Sequence, residues 1–215
     1  MTLQWTVEQG IGRLTLHQPP SNTMTMEFFR ELQALMQEIA LLKPLKAIII
    51  SGSGRHFSSG ADIDELLVSA DHQTMLENYR ALVLLEQLTI PVISAVRGVC
   101  LGSAFELALF SDFRICAADA VLGLPESTFN LMPGLGGIQR AAALTGKAAA
   151  IGIILRGDTF PAEDALRMGL VDAVVPKRNL QMISMAFATA LPVNFVKADR
   201  VICLHKFLKP LHATI

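Results

Sequence analysis

The chain has 215 residues, of which 52% are hydrophobic and 17% are charged, so it can bury the core of one globular domain and is not a disordered protein. Eighteen basic against 19 acidic residues leave a net charge of −1, which provides no basic surface for nucleic acid or an anionic membrane. No apolar run approaches the roughly 18–20 residues needed to span a bilayer, and the N-terminus lacks the pattern of a signal peptide. We therefore expect a soluble, cytoplasmic protein.

The first part of the chain alternates strand and helix patterns. Residues 3–7 and 11–16 alternate apolar and polar side chains on either side of a glycine turn, which predicts a β-hairpin. A helix is predicted over residues 25–42, and the apolar, β-branched run 47–50 is typical of a strand buried on both faces. After a glycine-rich loop, two helices and a second buried strand are predicted over residues 63–69, 74–88 and 91–96.

The second part continues the alternation. In chain order we predict a turn, a helix, two short strands, three helices and a strand, over residues 98–102, 104–111, 113–117, 121–123, 138–144, 147–155, 161–169 and 171–175. Strands that alternate with helices indicate an α/β fold whose strands are largely buried and parallel. The sequence contains no repeat with a solenoid period and no low-complexity linker, so one domain is expected.

The cysteines and histidines do not form a metal-binding pattern. Cys100, Cys116 and Cys203 lie in apolar segments without ligand spacing, which predicts reduced thiols in the core rather than disulfides or a zinc site. The five histidines are scattered, and none is paired with another histidine or a cysteine. We expect no metal.

Three segments place glycines at or after buried strands, where backbone amides can face a ligand. They are residues 58–62, residues 101–106, and residues 124–126 together with 133–137. Each is weak evidence alone, since a glycine after a strand is commonly only a turn. The last of them lacks the spacing and the preceding strand of a dinucleotide fingerprint, and the chain has no Walker motif.

Two glutamates stand in apolar surroundings. Glu106 is expected in the first turn of a buried helix, and Glu126 follows a similarly apolar stretch. A buried carboxylate is costly, so it commonly has a raised pKa or a specific partner. A helix-terminal charge at Glu106 and a solvated loop at Glu126 would each be an ordinary structural explanation. If the fold brings the two carboxylates together, they could share one water as general acid and base.

Five ordered segments resemble the enoyl-CoA hydratase/isomerase (crotonase) family. The matching stretches are residues 57–63, 91–98, 101–112, 122–140 and 162–172. The resemblance implies an α/β fold in which repeated ββα units form a spiral, with an acyl thioester of coenzyme A as the substrate. Several motifs in family order make it far more specific than any one of them.

The resemblance extends over residues 3–197 and implies how the chain is organised. We expect a crotonase-like catalytic domain over residues 1–190 and a short C-terminal helical tail over residues 191–215. Family members usually continue for some tens of residues, in helices that cover the site and join the oligomer. A shortened C-terminal region is therefore expected here, with a more open coenzyme A pocket, altered trimer contacts or a partner chain that completes the site.

The resemblance also assigns the site. The backbone N–H groups of Ala61 and Ser103 would form an oxyanion hole for the thioester carbonyl, worth roughly 3–4 kcal/mol per donor. Glu106 and Glu126 would hold one water for its syn addition to a trans-2-enoyl-CoA, which gives the 3-hydroxyacyl-CoA. We expect Glu126 to protonate the α-carbon and Glu106 to help take up the proton of the attacking water.

Further expectations come from the same resemblance. Substrate contacts are expected from Gly60, Asp62, Gly102, Pro133 and Gly134. No metal or redox cofactor is implied, and a homotrimer or hexamer is expected.

The sequence departs from the family pattern next to the first glutamate. Ser103 replaces the usual glycine, and Ala104 and Phe105 add bulk that bears on the shape of the acyl chain. Arg55, Arg97 and Lys147 are candidates for the coenzyme A phosphates. His56 is a weaker candidate for a contact to coenzyme A, since an exposed loop residue is the more ordinary interpretation.

Several other functions fit the same residues. A Δ3-Δ2 enoyl-CoA isomerase needs one base, typically at the position of Glu126, and the presence of Glu106 favours the hydratase. A dehydratase acting on a carrier-bound acyl group would use the same site. Ser103 could serve as the nucleophile of a hydrolase, although it lacks the GxSxG elbow and a nearby histidine. A non-catalytic binding or assembly subunit is the remaining alternative.

Overall fold

Nine strands and eight α-helices are found in the computed structural model, which describes residues 1–41, 45–65, 71–192 and 194–208. The strands are β1 (Leu3–Glu8), β2 (Ile11–Leu16), β3 (Ala47–Gly52), β4 (Val92–Val96), β5 (Val99–Leu101), β6 (Phe113–Ala117), β7 (Val121–Gly123), β8 (Thr159–Pro161) and β9 (Ala173–Val175). The helices are α1 (Met26–Leu41), α2 (His72–Gln87), α3 (Ser103–Phe110), α4 (Gly137–Thr145), α5 (Lys147–Arg156), α6 (Ala162–Arg167), α7 (Leu180–Ala190) and α8 (Arg200–Cys203).

A six-stranded sheet forms the centre of the fold. Its order is β1-β2-β3-β4-β6-β9, and every pair is parallel except the β1-β2 hairpin. β3, β4 and β6 are buried along their whole length, because helices pack on both faces of the sheet. The predicted hairpin and the predicted buried parallel strands are confirmed.

Two ββα units follow each other between β4 and α4. The first runs through β4, β5 and α3; the second runs through β6 and β7 to a 3₁₀ turn, Pro125–Phe129, and then α4. The first strands of the two units pair in the large sheet, and the second strands pair in a small three-stranded sheet of order β5-β7-β8. The chain thus advances as the predicted spiral, one strand further along both sheets with each unit.

Apolar side chains fill a core on each face of the large sheet. On one face, α1 contributes buried residues at helical spacing, Phe28, Phe29, Leu32, Met36 and Ile39. On the other face, Phe187 of α7 packs edge to face on Phe113 of β6, with ring centroids 4.8 Å apart. Cys203 and Leu208 join this second core, so part of the predicted tail packs against the sheet. The division at residue 190 stays a prediction.

The structure differs from the sequence predictions at three strands. The segment predicted as a turn over 98–102 contains β5, β8 was not predicted, and the strand predicted from residue 171 begins at Ala173. All three strands are only three residues long, like the correctly predicted β7, so a period-two pattern is a weak guide to them. Part of the helix predicted over 63–69 lies outside the described residues.

The three cysteines are buried, as predicted. None of the helices in the described ranges is long and apolar enough to cross a membrane.

Candidate active site

Ala61 and Ser103, whose backbone amides are unused, line a cavity where a loop meets the start of α3. Ala61 lies beside Met24, whose N–H donates to the carbonyl of Gly60 at 2.8 Å and whose carbonyl accepts from the N–H of Asp62 at 3.2 Å. This pairing leaves the N–H of Ala61 unused. The N–H of Ser103 is one of the first four in α3, which have no partner within a helix. Neither amide donates to another described residue.

Glycine is required on either side of this gap. Gly60 has φ +99°, and a Cβ there would lie 2.5 Å from the carbonyl oxygen of Leu101. Gly102, the N-cap of α3, has φ +54°. Both conformations are strained for residues with a side chain, so the two glycines let the loop and the helix start approach each other closely.

Glu106 points from the first turn of α3 to the start of α4. Its side chain is buried, and its Oε1 accepts hydrogen bonds from the N–H groups of Leu135 and Gly137, both at 2.8 Å. Burial raises the pKa of Glu106 to about 7; the Gly137 amide opposes that shift, and the negative charge of Glu126 adds to it. This carboxyl can therefore hold or release a proton near neutral pH.

Glu126 approaches the same gap from the 3₁₀ turn. A Cβ on Gly102 would lie 3.3 Å from its Oε1, so the carboxyl sits directly beside the start of α3. Its Oε2 is buried and accepts no hydrogen bond from the described residues. Burial raises the pKa of Glu126, which favours the protonated form that can donate to a ligand.

The two amides and the two carboxylates line one cavity of about 220 Å³, called here the inner cavity. Its lining consists of Phe29, Ala61, Met75, Asn78, Ser103, Glu106, Glu126, Leu131, Met132, Gly134 and Leu135. A second cavity of about 290 Å³, the outer cavity, shares Ala61, Ser103, Glu126 and Leu131 with it. The structure thus brings together four residues from three separate segments, with the amides at the junction of two cavities.

The predicted substrate contacts fall in different places. Gly60 and Gly102 line the outer cavity, and Gly134 lines the inner one. Pro133 lines a third cavity beside α2. The carboxylate of Asp62 accepts a hydrogen bond from the N–H of Glu65 at 2.9 Å, and Asp62 is not among the residues that line these three cavities.

The interpretation of His56 as an exposed loop residue is wrong. Its ring is half-buried, and Nδ1 accepts a hydrogen bond from the N–H of Val99 at 3.1 Å, which joins the loop after β3 to β5. Arg97 likewise donates to the carbonyl of Gly52 at 2.9 Å. Both side chains hold backbone segments together, a role that only their tertiary neighbours could reveal.

Sequence reasoning missed Asn78. It lies in the inner cavity, is buried, and is held by a weak N–H···S contact of 3.7 Å to Met26. The helical spacing in the sequence could have indicated it, since Asn78 shares the buried face of α2 with Ala81, Leu82 and Leu85. A polar residue on an apolar helix face commonly has a specific partner or ligand.

Within the described ranges, no group of three or more histidine, cysteine, aspartate or glutamate side chains is arranged to hold a metal ion.

The sequence model of a known protein family matches most of the chain. The family model for enoyl-CoA hydratase/isomerase matches residues 6–200. The chain belongs to the enoyl-CoA hydratase/isomerase family. The predicted resemblance and the crotonase-like fold are therefore confirmed, and the site described above lies within the matched part of the chain.

Individual members of the enoyl-CoA hydratase/isomerase family agree with this assignment. A Bacillus subtilis (strain 168) protein named "Probable enoyl-CoA hydratase" is 36% identical over 188 residues, which cover 86% of this chain and 72% of the relative. The crystal structure of an enoyl-CoA hydratase from Bacillus anthracis is 30% identical with a TM-score of 0.83, covering 88% of this chain and 76% of that one. A Thermobifida fusca YX protein solved in complex with CoA is 28% identical with a TM-score of 0.84, covering 95% and 84%.

Proposed function

We propose that this member of the family is an enoyl-CoA hydratase, which adds water syn across a trans-2-enoyl-CoA to give the 3-hydroxyacyl-CoA. The observation that carries the proposal is that the buried Glu106, the half-buried Glu126 and two unused amides line one small cavity. The name of the Bacillus subtilis relative and the CoA complex of the Thermobifida fusca structure support the same substrate class.

The amides of Ala61 and Ser103 would bind the thioester carbonyl. When water attacks the β-carbon, the π electrons move toward the carbonyl and negative charge develops on its oxygen. Two preorganised N–H donors at the start of a helix stabilise that charge more than they stabilise the neutral ground state. The burial of the site strengthens the effect, because few water molecules compete for the donors.

The carboxyls of Glu106 and Glu126 would hold the reacting water between them. Glu106 takes up the proton of the attacking water as its oxygen bonds to the β-carbon, and Glu126 delivers a proton to the α-carbon. Each turnover leaves Glu106 protonated and Glu126 ionised, and transfer of that proton from Glu106 to Glu126 through a bound water restores the starting state. Because the two carboxyls interact, their apparent pKa values belong to the pair.

The proposed reaction needs no redox cofactor, because only a proton and a hydroxyl are added to the double bond. Coenzyme A enters as part of the substrate. The homotrimer or hexamer remains a prediction from the family resemblance, and the cytoplasmic location remains a prediction from the sequence.

The decisive experiment measures the absorbance of the conjugated enoyl group of crotonyl-CoA after the purified protein is added. Hydration removes the conjugated double bond, so the absorbance should fall. Replacing one positioned proton-transfer group should lower kcat about 10²–10⁴-fold, so Glu106→Gln and Glu126→Gln should each lose most of the rate. Glu163→Gln, on the exposed surface of α6, is the matched control and should keep it. Wild-type rates in both active-site variants would refute the two-carboxylate mechanism.

The isomerase is the second candidate, since Glu126 reaches both cavities whereas Glu106 lines only the inner one. A single base that lines the cavities on both sides of the Ala61 and Ser103 amides is suited to carry a proton from one carbon of the acyl chain to another. Conversion of a 3-enoyl-CoA to the 2-enoyl-CoA that survives Glu106→Gln and is lost in Glu126→Gln would favour the isomerase. A protein inactive on both substrates would favour the non-catalytic subunit or a carrier-bound substrate.

A further inference from the structure

The inner cavity has two ends. At one end, Ala61 and Ser103 are shared with the outer cavity. At the other end, Met75 and Gly134 are shared with a third cavity of about 480 Å³, called here the α2 cavity. The α2 cavity is lined by His72, Met75, Leu76, Tyr79, Pro133, Gly134, Gly136 and Gln139. Met75 and Gly134 therefore form the boundary between the inner cavity and a larger space beyond it.

The boundary is closed by a tight contact. A Cβ added to Gly134 would lie 2.4 Å from Cε of Met75, so the methionine methyl rests directly against the glycine backbone. Only a residue without a side chain at position 134 permits that approach. Methionine is unbranched and flexible, so the same side chain can change rotamer and open the boundary without moving the backbone.

The direction of a bound thioester follows from the two ends. The carbonyl lies at the amides of Ala61 and Ser103, and the bulky coenzyme A portion extends into the outer cavity. The acyl chain then has only the inner cavity to occupy, and it extends toward Met75. At about 220 Å³ the inner cavity is smaller than the roughly 300–1,000 Å³ of sites for drug-sized ligands, so it suits a short chain.

We propose that Met75 ends the acyl cavity and determines the chain length of the substrate. Short enoyl thioesters fit with Met75 closed against Gly134. Longer chains require its side chain to turn away, so that the acyl tail continues into the α2 cavity. This inference rests on the proposed function, because it places the thioester at the two amides.

The test compares kcat/KM for crotonyl-CoA and trans-2-octenoyl-CoA. The wild type should prefer the four-carbon substrate. Met75→Ala should raise the ratio of eight-carbon to four-carbon activity at least about tenfold, the effect that a single methylene has in a well-packed pocket. Met182→Ala is the matched control, since this exposed methionine of α7 lies outside the three cavities, and it should leave the ratio unchanged.

A second variant tests the contact between Met75 and Gly134. Adding Gly134→Ala to Met75→Ala puts a methyl group back at the boundary, close to the place that the methionine methyl occupies. The double variant should therefore return part of the way to the short-chain preference. An unchanged ratio in Met75→Ala, or equal activity of the wild type on both substrates, would overturn the proposal.

A binding measurement separates this inference from the proposed reaction. Butyryl-CoA and octanoyl-CoA are saturated and cannot be hydrated, so calorimetry reports only whether each chain fits. If no variant hydrates an enoyl-CoA but Met75→Ala gains affinity for octanoyl-CoA, the chain-length role stands and the hydratase proposal falls. If no variant binds either thioester, both fail.

Discussion

Ser103 is a residue at which the contribution of the backbone can be separated from that of the side chain. Ser103 lines both the inner and the outer cavity, and neither its N–H nor its hydroxyl makes a hydrogen bond to the described residues. The hydratase proposal requires only the N–H. The hydrolase alternative requires the hydroxyl as well.

Loss of the Ser103 hydroxyl should therefore have different outcomes under the two functions. Proline is favoured at the first position of a helix, where the missing N–H breaks no helical hydrogen bond, and Gly102 before it is permissive. Ser103→Pro should keep the fold and lower kcat for crotonyl-CoA about 10²–10³-fold, while Ser103→Ala stays within a few-fold of wild type. Circular dichroism checks the fold. An inactive Ser103→Ala would support the nucleophile instead.

At the scale of elements, the start of α4 holds Glu106 in place. The N–H groups of Leu135 and Gly137 both bind Oε1, which fixes the carboxyl and leaves Oε2 for a ligand. The positive end of the α4 dipole favours the charged carboxylate, and burial opposes it. The pKa of Glu106 near neutral pH therefore reflects two opposing effects: the start of α4 favours the charged carboxylate, and burial favours the neutral acid.

Gly137 should be intolerant of a side chain for this reason. A Cβ there would lie 2.8 Å from Cγ and 2.9 Å from Oε1 of Glu106. We expect Gly137→Ala to lower hydration at least about tenfold through the displaced carboxyl and to destabilise the protein by about 1–3 kcal/mol. Urea unfolding and the crotonyl-CoA assay measure both effects.

Gly152→Ala provides the matched control, since Gly152 also lies in a helix. The nearest atom to its added Cβ, at 3.2 Å, is the flexible end of Arg156. That substitution should stabilise the protein by about 0.4–1 kcal/mol and keep the activity. Equal effects of the two substitutions would contradict a special role for the start of α4.

At the scale of the whole molecule, the buried carboxyl of Glu106 makes the free energy of unfolding depend on pH. In the folded protein its pKa is about 7, against an ordinary value of 4.5. Between these values the folded state binds more protons than the unfolded state, so the contribution of Glu106 to stability falls as pH rises. Above the folded pKa, the buried charge costs on the order of 3 kcal/mol.

Glu106→Gln removes this titration while its amide oxygen can still accept the two α4 hydrogen bonds. Relative to the wild type, the variant should therefore gain stability progressively from about pH 4.5 to 7 and remain constant above that. Urea unfolding at a series of pH values measures the difference. Parallel stability curves for the two proteins from pH 4 to 8 would show that Glu106 is not held as a buried acid.

Ion pairs to two buried aspartates connect the end of the described chain to the centre of the molecule. Arg114 in β6 lies 3.4 Å from Asp172, and both side chains are almost fully buried. Arg200 of α8 also donates to Asp172, and Lys197 lies 3.4 Å from Asp112. The C-terminal part of the described chain is therefore held against the sheet by charges as well as by apolar contacts.

The elements that sequence reasoning located well are those with a strong local pattern. The β1-β2 hairpin, α1 and β3 follow from alternation, from an apolar helix face and from a β-branched run, all within one stretch of chain. β5 has no such pattern, because it exists through its pairing with β7, some 20 residues later. Glycines at both ends of β5 made a turn the natural interpretation.

The residues of the candidate site likewise divide into those with a local signal in the sequence and those without one. Glu106 and Glu126 could be singled out because a carboxylate in an apolar stretch is conspicuous, and the family motifs then indicated a shared cavity. Met75, Asn78 and His56 gave no comparable signal, because each is an ordinary residue for its own segment. Composition and local periodicity determined the fold class and the two glutamates. The cavity boundaries, the hydrogen bonds on Glu106 and the roles of the remaining side chains depend on contacts between distant segments, and only the tertiary structure could decide them.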